Sequence, residues 1–251
     1  VGAMAIAGLA ITFPLMNLII AFCTLVGVGA ATISSIYMGQ KDIQRATFVL
    51  HNAAILLLVN GLLVTIVTLI FLDPILLFFG ASHETLPYAR DFMQVILIAN
   101  PIAYLFVGLN NLMRATGYPK KAMLSSFLTV AVNVIVAPIF IFVLDWGIRG
   151  AAMATAIAQL TGLVWVLAHF LNKKSFISFK KGCFKLHRRI IASILSIGMS
   201  PFLMNSCACI VVIIINTTLQ NYGGDMAIGA YGIVNRMLTL FVMVVMGLTQ
   251  G

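Results

Sequence analysis

The sequence predicts an all-α integral membrane protein: a polytopic helical bundle holding seven spans of a twelve-helix, two-lobe architecture built as a six-plus-six parallel repeat. Three observations carry that prediction. Apolar residues make up 62% of the 251 residues and charged ones only 8%, where a soluble domain carries roughly 45–50% and about 25%. Basic residues gather in alternate breaks between apolar runs, and the chain repeats itself at an offset of 222 residues.

So few charges cannot cover a globule of this size, so lipid is the solvent for most of the chain. A bilayer core of about 30 Å takes roughly 20 apolar residues per helix. Hydropathy marks seven such segments, near Leu9–Ser35, Ala46–Leu72, Ala89–Met113, Ala122–Leu144, Ile148–Leu171, Ile190–Asn216 and Ile228–Gly251. The breaks between them carry turn signals, among them Gly117-Tyr118-Pro119-Lys120, Asp145-Trp146-Gly147 and Asn221-Tyr222-Gly223-Gly224-Asp225. Cys23, Cys183, Cys207 and Cys209 show neither CxxC nor metal spacing, so no disulfide framework and no metal site is expected.

Charge then orients the spans. Twelve of the 15 basic residues fall in the breaks 38–46, 114–121 and 172–189, against Arg90 and Arg149 in the alternate ones. Positive residues stay on the cytoplasmic side, so a multi-pass protein of the plasma (cell inner) membrane is expected, with Val1 and the 221–225 break outside. The net charge of +9 thereby reports topology, and no nucleic-acid partner is expected. The chain starts without methionine and ends inside an apolar run, which suggests an internal fragment of a longer protein.

The repeat supplies the architecture. Residues 2–11 (GAMAIAGLAI) align with 224–233 (GDMAIGAYGI), with five of ten positions identical. Six helices lie between equivalent points, so the halves run parallel about an axis along the membrane normal. Residues 1–171 then form an N-terminal lobe lacking its first helix, 172–189 a basic cytoplasmic linker, and 190–251 the first two helices of a second lobe.

Four strings are similar to those of the multidrug and toxic compound extrusion (MATE) family. These are Gly29-Ala30 … Gly39-Gln40, Asn110-Asn111-Leu112-Met113-Arg114-Ala115-Thr116-Gly117-Tyr118-Pro119-Lys120-Lys121-Ala122-Met123, Asn133 … Pro138-Ile139-Phe140-Ile141-Phe142, and Gly147-Ile148-Arg149-Gly150-Ala151-Ala152-Met153-Ala154-Thr155. The resemblance covers the whole chain. It implies two six-helix lobes around a central cavity, and export of organic, often cationic and amphipathic compounds by alternating access, in exchange for protons or sodium. It also implies a monomer with no cofactor and no catalytic residue, whose partners are small organic substrates, a coupling cation and the bilayer.

Polar groups in lipid must pair or line a cavity. The substrate- and ion-cavity candidates are Asn133, Thr155, Gln159, Asn205 and Arg236, and Pro138 and Pro201 are candidate hinges because each frees a carbonyl one turn back. Pro14 and Pro101 interrupt their segments in the same way. The resemblance places Asn133 and Thr155 in a first-lobe, ion-responsive cluster. The family often carries an acid before the proline of this helix, where this chain has Ala137, and one branch carries a glutamate in the helix matching 190–216, which here has no acid. The coupling carboxylate is therefore expected outside this chain, and the ion stays open between proton and sodium.

Other readings are weaker. A lipid-linked oligosaccharide flippase would want several cavity cations, and Arg236 is the one basic residue inside a span. A seven-helix receptor fits the span count but not the repeat. An intramembrane enzyme would need a motif such as HExxH or GxSxG, and neither occurs.

Overall fold

The computed structural model describes residues 8–82, 84–144, 146–172, 175–179 and 186–249, with the side chains of 148, 220, 221, 224, 225, 228, 236 and 243–249 excepted. A short helical turn over 8–11 leads into α1 (Phe13–Gly39). There follow α2 (Ile43–Ile70), α3 (Leu72–Phe78), α4 (Leu86–Ala115), α5 (Pro119–Pro138), a π-helical turn (Ile139–Val143), α6 (Gly147–Leu171) and α7 (Arg188–Thr249). Among the described residues, six helices are long and apolar enough to cross a membrane, the last counted over Arg188–Leu219.

The turns follow from local chemistry. Asp42 caps α2, accepting from the Arg45 N–H at 2.9 Å, which satisfies one of the orphan donors of a helix start. Between α4 and α5, Gly117 takes φ +92° and Pro119 opens the next helix. A left-handed glycine just past one helix and a proline at the start of the next make a compact break.

α4 packs on α2 and α6, α5 on α6, and α1 on α2, α4 and α7. Two apolar clusters fill the bundle at its two ends. One joins Ala30, Leu50, Leu112, Met113, Phe170 and Ile194; the other joins Ile11, Leu15, Leu76, Met93, Leu97 and Tyr104. Outward-facing apolar residues such as Phe127, Val134 and Ile135 on α5 are exposed, as lipid contact requires.

Two expectations need correction. Pro14 does not kink the interior of a helix. The helix breaks at Thr12, and Pro14 sits in the first turn of α1, where its missing N–H costs nothing. The 221–225 break is not a loop either, since helical turns run unbroken through it. The chain nevertheless reverses there. Its first limb runs antiparallel to α1, with Gly198 against Leu25 and the Cys209 thiol donating to the Pro14 carbonyl. A straight helix would carry Gly232 roughly 35 Å beyond Cys209, yet Gly232 lies against Ala10, one turn from Pro14. The bend is at Gly223, where an added Cβ would stand 2.5 Å from the Ala227 Cβ, against about 5–6 Å in a regular helix. Only a residue without Cβ fits. Glycine costs a helix about 1 kcal/mol and removes no hydrogen bond, so the turns persist while the axis folds back.

The start of the basic linker is docked. Ile177 is fully buried in the first cluster, with Phe179 packed beside it. Ser175 hydrogen-bonds His169, and the Phe176 N–H donates to the Tyr118 hydroxyl. Lys173, Lys174, Lys180, Lys181 and Lys185 lie outside the described residues.

Candidate functional site

Asn133 stands midway along α5, one turn before Ala137 and the Pro138–π-turn junction. Its amide donates to the Thr155 hydroxyl of α6 at 3.3 Å, and that hydroxyl donates to the Ala151 carbonyl at 3.0 Å. Both residues are half-buried. The bond fixes the donor half of the amide and leaves the Asn133 carbonyl without a donor among the described residues. A carbonyl so placed can accept from a protonated carboxyl or ligate a bare cation. Gln159, one turn along α6 and also half-buried, makes no hydrogen bond to the pair.

The remaining candidates are elsewhere. Asn205 turns back on its own helix, donating to the Pro201 carbonyl at 2.8 Å. Pro201 lies inside α7, next to Phe202, whose ring meets Phe22 of α1 at 5.1 Å. The Arg236 side chain lies outside the described residues. Its neighbours Asn235 and Thr239 line a cavity of about 530 Å³ with Leu240, facing Phe13, Met16, Asn17 and Ile20 of α1. None of these lining residues is charged.

Polar groups outside that candidate set knit α1, α2 and α4. The Asn100 amide donates to Thr65 Oγ1 at 3.2 Å, Thr65 donates to the Leu97 carbonyl at 3.0 Å, and the Tyr104 hydroxyl donates to the Ile19 carbonyl at 2.6 Å. Asn110 donates to the Ser125 hydroxyl and the Ala122 carbonyl across α4 and α5. The clearest signal for the first group was Pro101, which frees the carbonyl of Leu97. At one end of the bundle, Arg149 pairs with Asp91 at 2.7 Å and Arg90 with Asp73 at 3.4 Å. The former pair, with Trp146 and Met153, borders an open cavity of about 680 Å³. No group of metal-binding side chains occurs among the described residues.

Apolar spans, an internal repeat folded back on itself and an uncharged cavity where the repeat halves meet define a multi-pass membrane protein of the two-lobe transporter class. Comparison narrows the class. The MatE family model matches residues 1–139, and the chain belongs to that family, the multidrug and toxic compound extrusion transporters. It is 32% identical over 246 residues to the multidrug export protein MepA of Staphylococcus haemolyticus, covering 98% of this chain and 54% of that protein. The structure of the MATE multidrug transporter DinF-BH in complex with rhodamine 6G superposes with a TM-score of 0.94 at 30% identity, over 100% of this chain and 56% of that one. An inward-facing multidrug resistance MATE family transporter of the MOP superfamily gives 0.91 at 26%, over 96% and 55%. The chain thus spans about half the length of the relatives it matches.

Proposed function

We propose that the transporter to which this chain contributes is a secondary active multidrug efflux antiporter. It exports organic, cationic amphipathic compounds in exchange for protons or sodium by alternating access. The cavity between α1 and the second limb of α7 carries this reading. Phe13, Met16, Ile20 and Leu240 offer apolar and aromatic surface, and Asn17, Asn235 and Thr239 offer amide and hydroxyl groups. With no lysine or arginine among them, the lining suits a lipophilic cation and gives a phosphate headgroup nothing to pair with. The rhodamine complex of a similar structure supports the substrate class.

For coupling, the Asn133 carbonyl beside Thr155 is the first-lobe group placed to respond to an ion, with a carboxylate supplied by another part of the protein. The basic loops face the cytoplasm of the inner membrane. Expression of the full-length transporter in a pump-deficient bacterium tests the function. Accumulation of rhodamine and other cationic dyes should fall and resistance should rise. Unchanged accumulation across a broad cation panel, with export of an oligosaccharide-linked lipid restored, overturns the proposal in favour of a flippase.

A further inference from the structure

Ala10 and Gly232 occupy equivalent places in the repeat, since they are separated by its 222-residue offset. They also touch: a Cβ built on Gly232 stands 2.7 Å from the Ala10 Cβ and 3.6 Å from the Phe13 ring. Two equivalent positions can meet each other only on the axis that relates the halves, as in an isologous contact. Ala10 is 3% exposed and Gly232 buried, so the contact is closed. One turn further along both limbs the helices part around the uncharged cavity, and its lining keeps the same relation. Asn17 is equivalent to Thr239 and Phe13 to Asn235.

We infer that the Ala10–Gly232 contact is a gate on the pseudo-two-fold axis, closing the end of the cavity from which substrate is released. This rests on the proposed export function and on the outside placement of the 221–225 bend. Small side chains are required because the two backbones meet here with room for one methyl group. A side chain larger than methyl at either position holds the limbs apart. A covalent bond between them holds the gate shut. Between these limits, the lobes rock and the contact opens and closes once per cycle.

The test uses the full-length transporter with Cys23, Cys183, Cys207 and Cys209 replaced by alanine, in a background shown to export dye. Ala10→Cys with Gly232→Cys brings the thiols within reach of a disulfide after a parting of about 1 Å, since bridged Cβ atoms sit about 3.5–4.5 Å apart. Oxidation should cross-link the pair and cut export about tenfold or more. Reductant should restore it, and each single cysteine variant should be unaffected by oxidant. Gly232→Leu should raise labelling of Asn17→Cys by an impermeant maleimide added outside intact cells. The swapped variant Ala10→Gly with Gly232→Ala, which keeps one methyl at the contact, should export normally and separates gating from folding. Cross-linking with undiminished export overturns the inference, as does failure to cross-link in a protein that exports. Labelling of Asn17→Cys that rises in inside-out vesicles and not in cells overturns the sidedness. Loss of dye export in the cysteine-free parent, with lipid export intact, would instead overturn the proposed substrate, and cross-linking would then be read against lipid export.

Discussion

The Thr65 hydroxyl of α2 donates to the Leu97 carbonyl of α4 at 3.0 Å, the same carbonyl that Pro101 deprives of its helical N–H partner. A proline in a spanning helix leaves an acceptor that water cannot reach, and a neighbouring hydroxyl restores the bond. Asn100 completes the arrangement by donating to the Thr65 oxygen. Thr65→Val should therefore destabilise the bundle by about 1 kcal/mol, the usual scale for a hydrogen bond between membrane helices, and Thr65→Ser should not. Pro101→Ala returns the N–H, so its combination with Thr65→Val should cost less than the two single changes added together. Thermal unfolding in detergent measures all four variants, and strict additivity would show that the two positions are independent.

The helix crossing of α1 and α7 gives a sharper contrast. Gly29 lies on the Ile194 carbonyl and Gly198 on the Leu25 carbonyl, each too close to admit a Cβ. Gly198→Ala should force the helices apart and lower folded yield several-fold, as close backbone packing between membrane helices depends on such residues. Gly39→Ala, with nothing within 4 Å of the added carbon, should leave yield unchanged. Size-exclusion profiles of the two variants decide the matter.

Much of this fold was legible in the sequence because lipid makes helices the only economical choice. Apolar run length places α1, α2, α4, α5 and α6 within a few residues of their ends. The repeat was legible at 2–11 and 224–233, and the Ala10–Gly232 contact gives it a place in space. Glycines 223 and 224 read as a loop because a glycine pair beside an aspartate usually ends a helix. A bent helix has the same composition, and only the contacts at Gly223 and Gly232 separate the two. The polar interior was less legible. An asparagine in an apolar run signals that it has a partner, but not whether that partner is its own backbone, as for Asn205, or another helix, as for Asn133. Thr65 and Tyr104 gave no signal, because threonine and tyrosine are ordinary in spans.

The docked linker illustrates the same limit. Phe176-Ile177-Ser178-Phe179 interrupts a basic stretch, and the burial of Ile177 shows that its apolar residues are anchors. Ile177→Asp should undock the segment and speed proteolysis within 172–189 several-fold while the spans stay inserted. Labelling of Leu186→Cys, which is exposed, by an impermeant reagent should occur in inside-out vesicles and not in intact cells. Labelling from outside would invert the proposed topology.

The last expectation concerns Asn133 and Thr155. The amide is half-buried and already bonded through its nitrogen, so what it offers an ion or a protonated acid is its carbonyl oxygen. Asn133→Ala and Asn133→Leu both remove that oxygen, the second at nearly constant volume. Both should weaken dye-for-ion exchange about tenfold, the scale of one or two hydrogen bonds to a charged partner, while folded yield stays level. Thr155→Val keeps the shape but removes the acceptor that orients the amide, so a smaller loss is expected; Thr155→Ser keeps the hydroxyl and should transport normally. Reconstituted vesicles with an imposed proton or sodium gradient supply the readout. The gradient that drives dye uptake in the parent identifies the ion, and the variants should lose that drive while still binding dye. If Asn133→Ala and Asn133→Leu both exchange at the parental rate, the Asn133–Thr155 bond serves only to hold α5 against α6. The ion must then act on groups outside this pair.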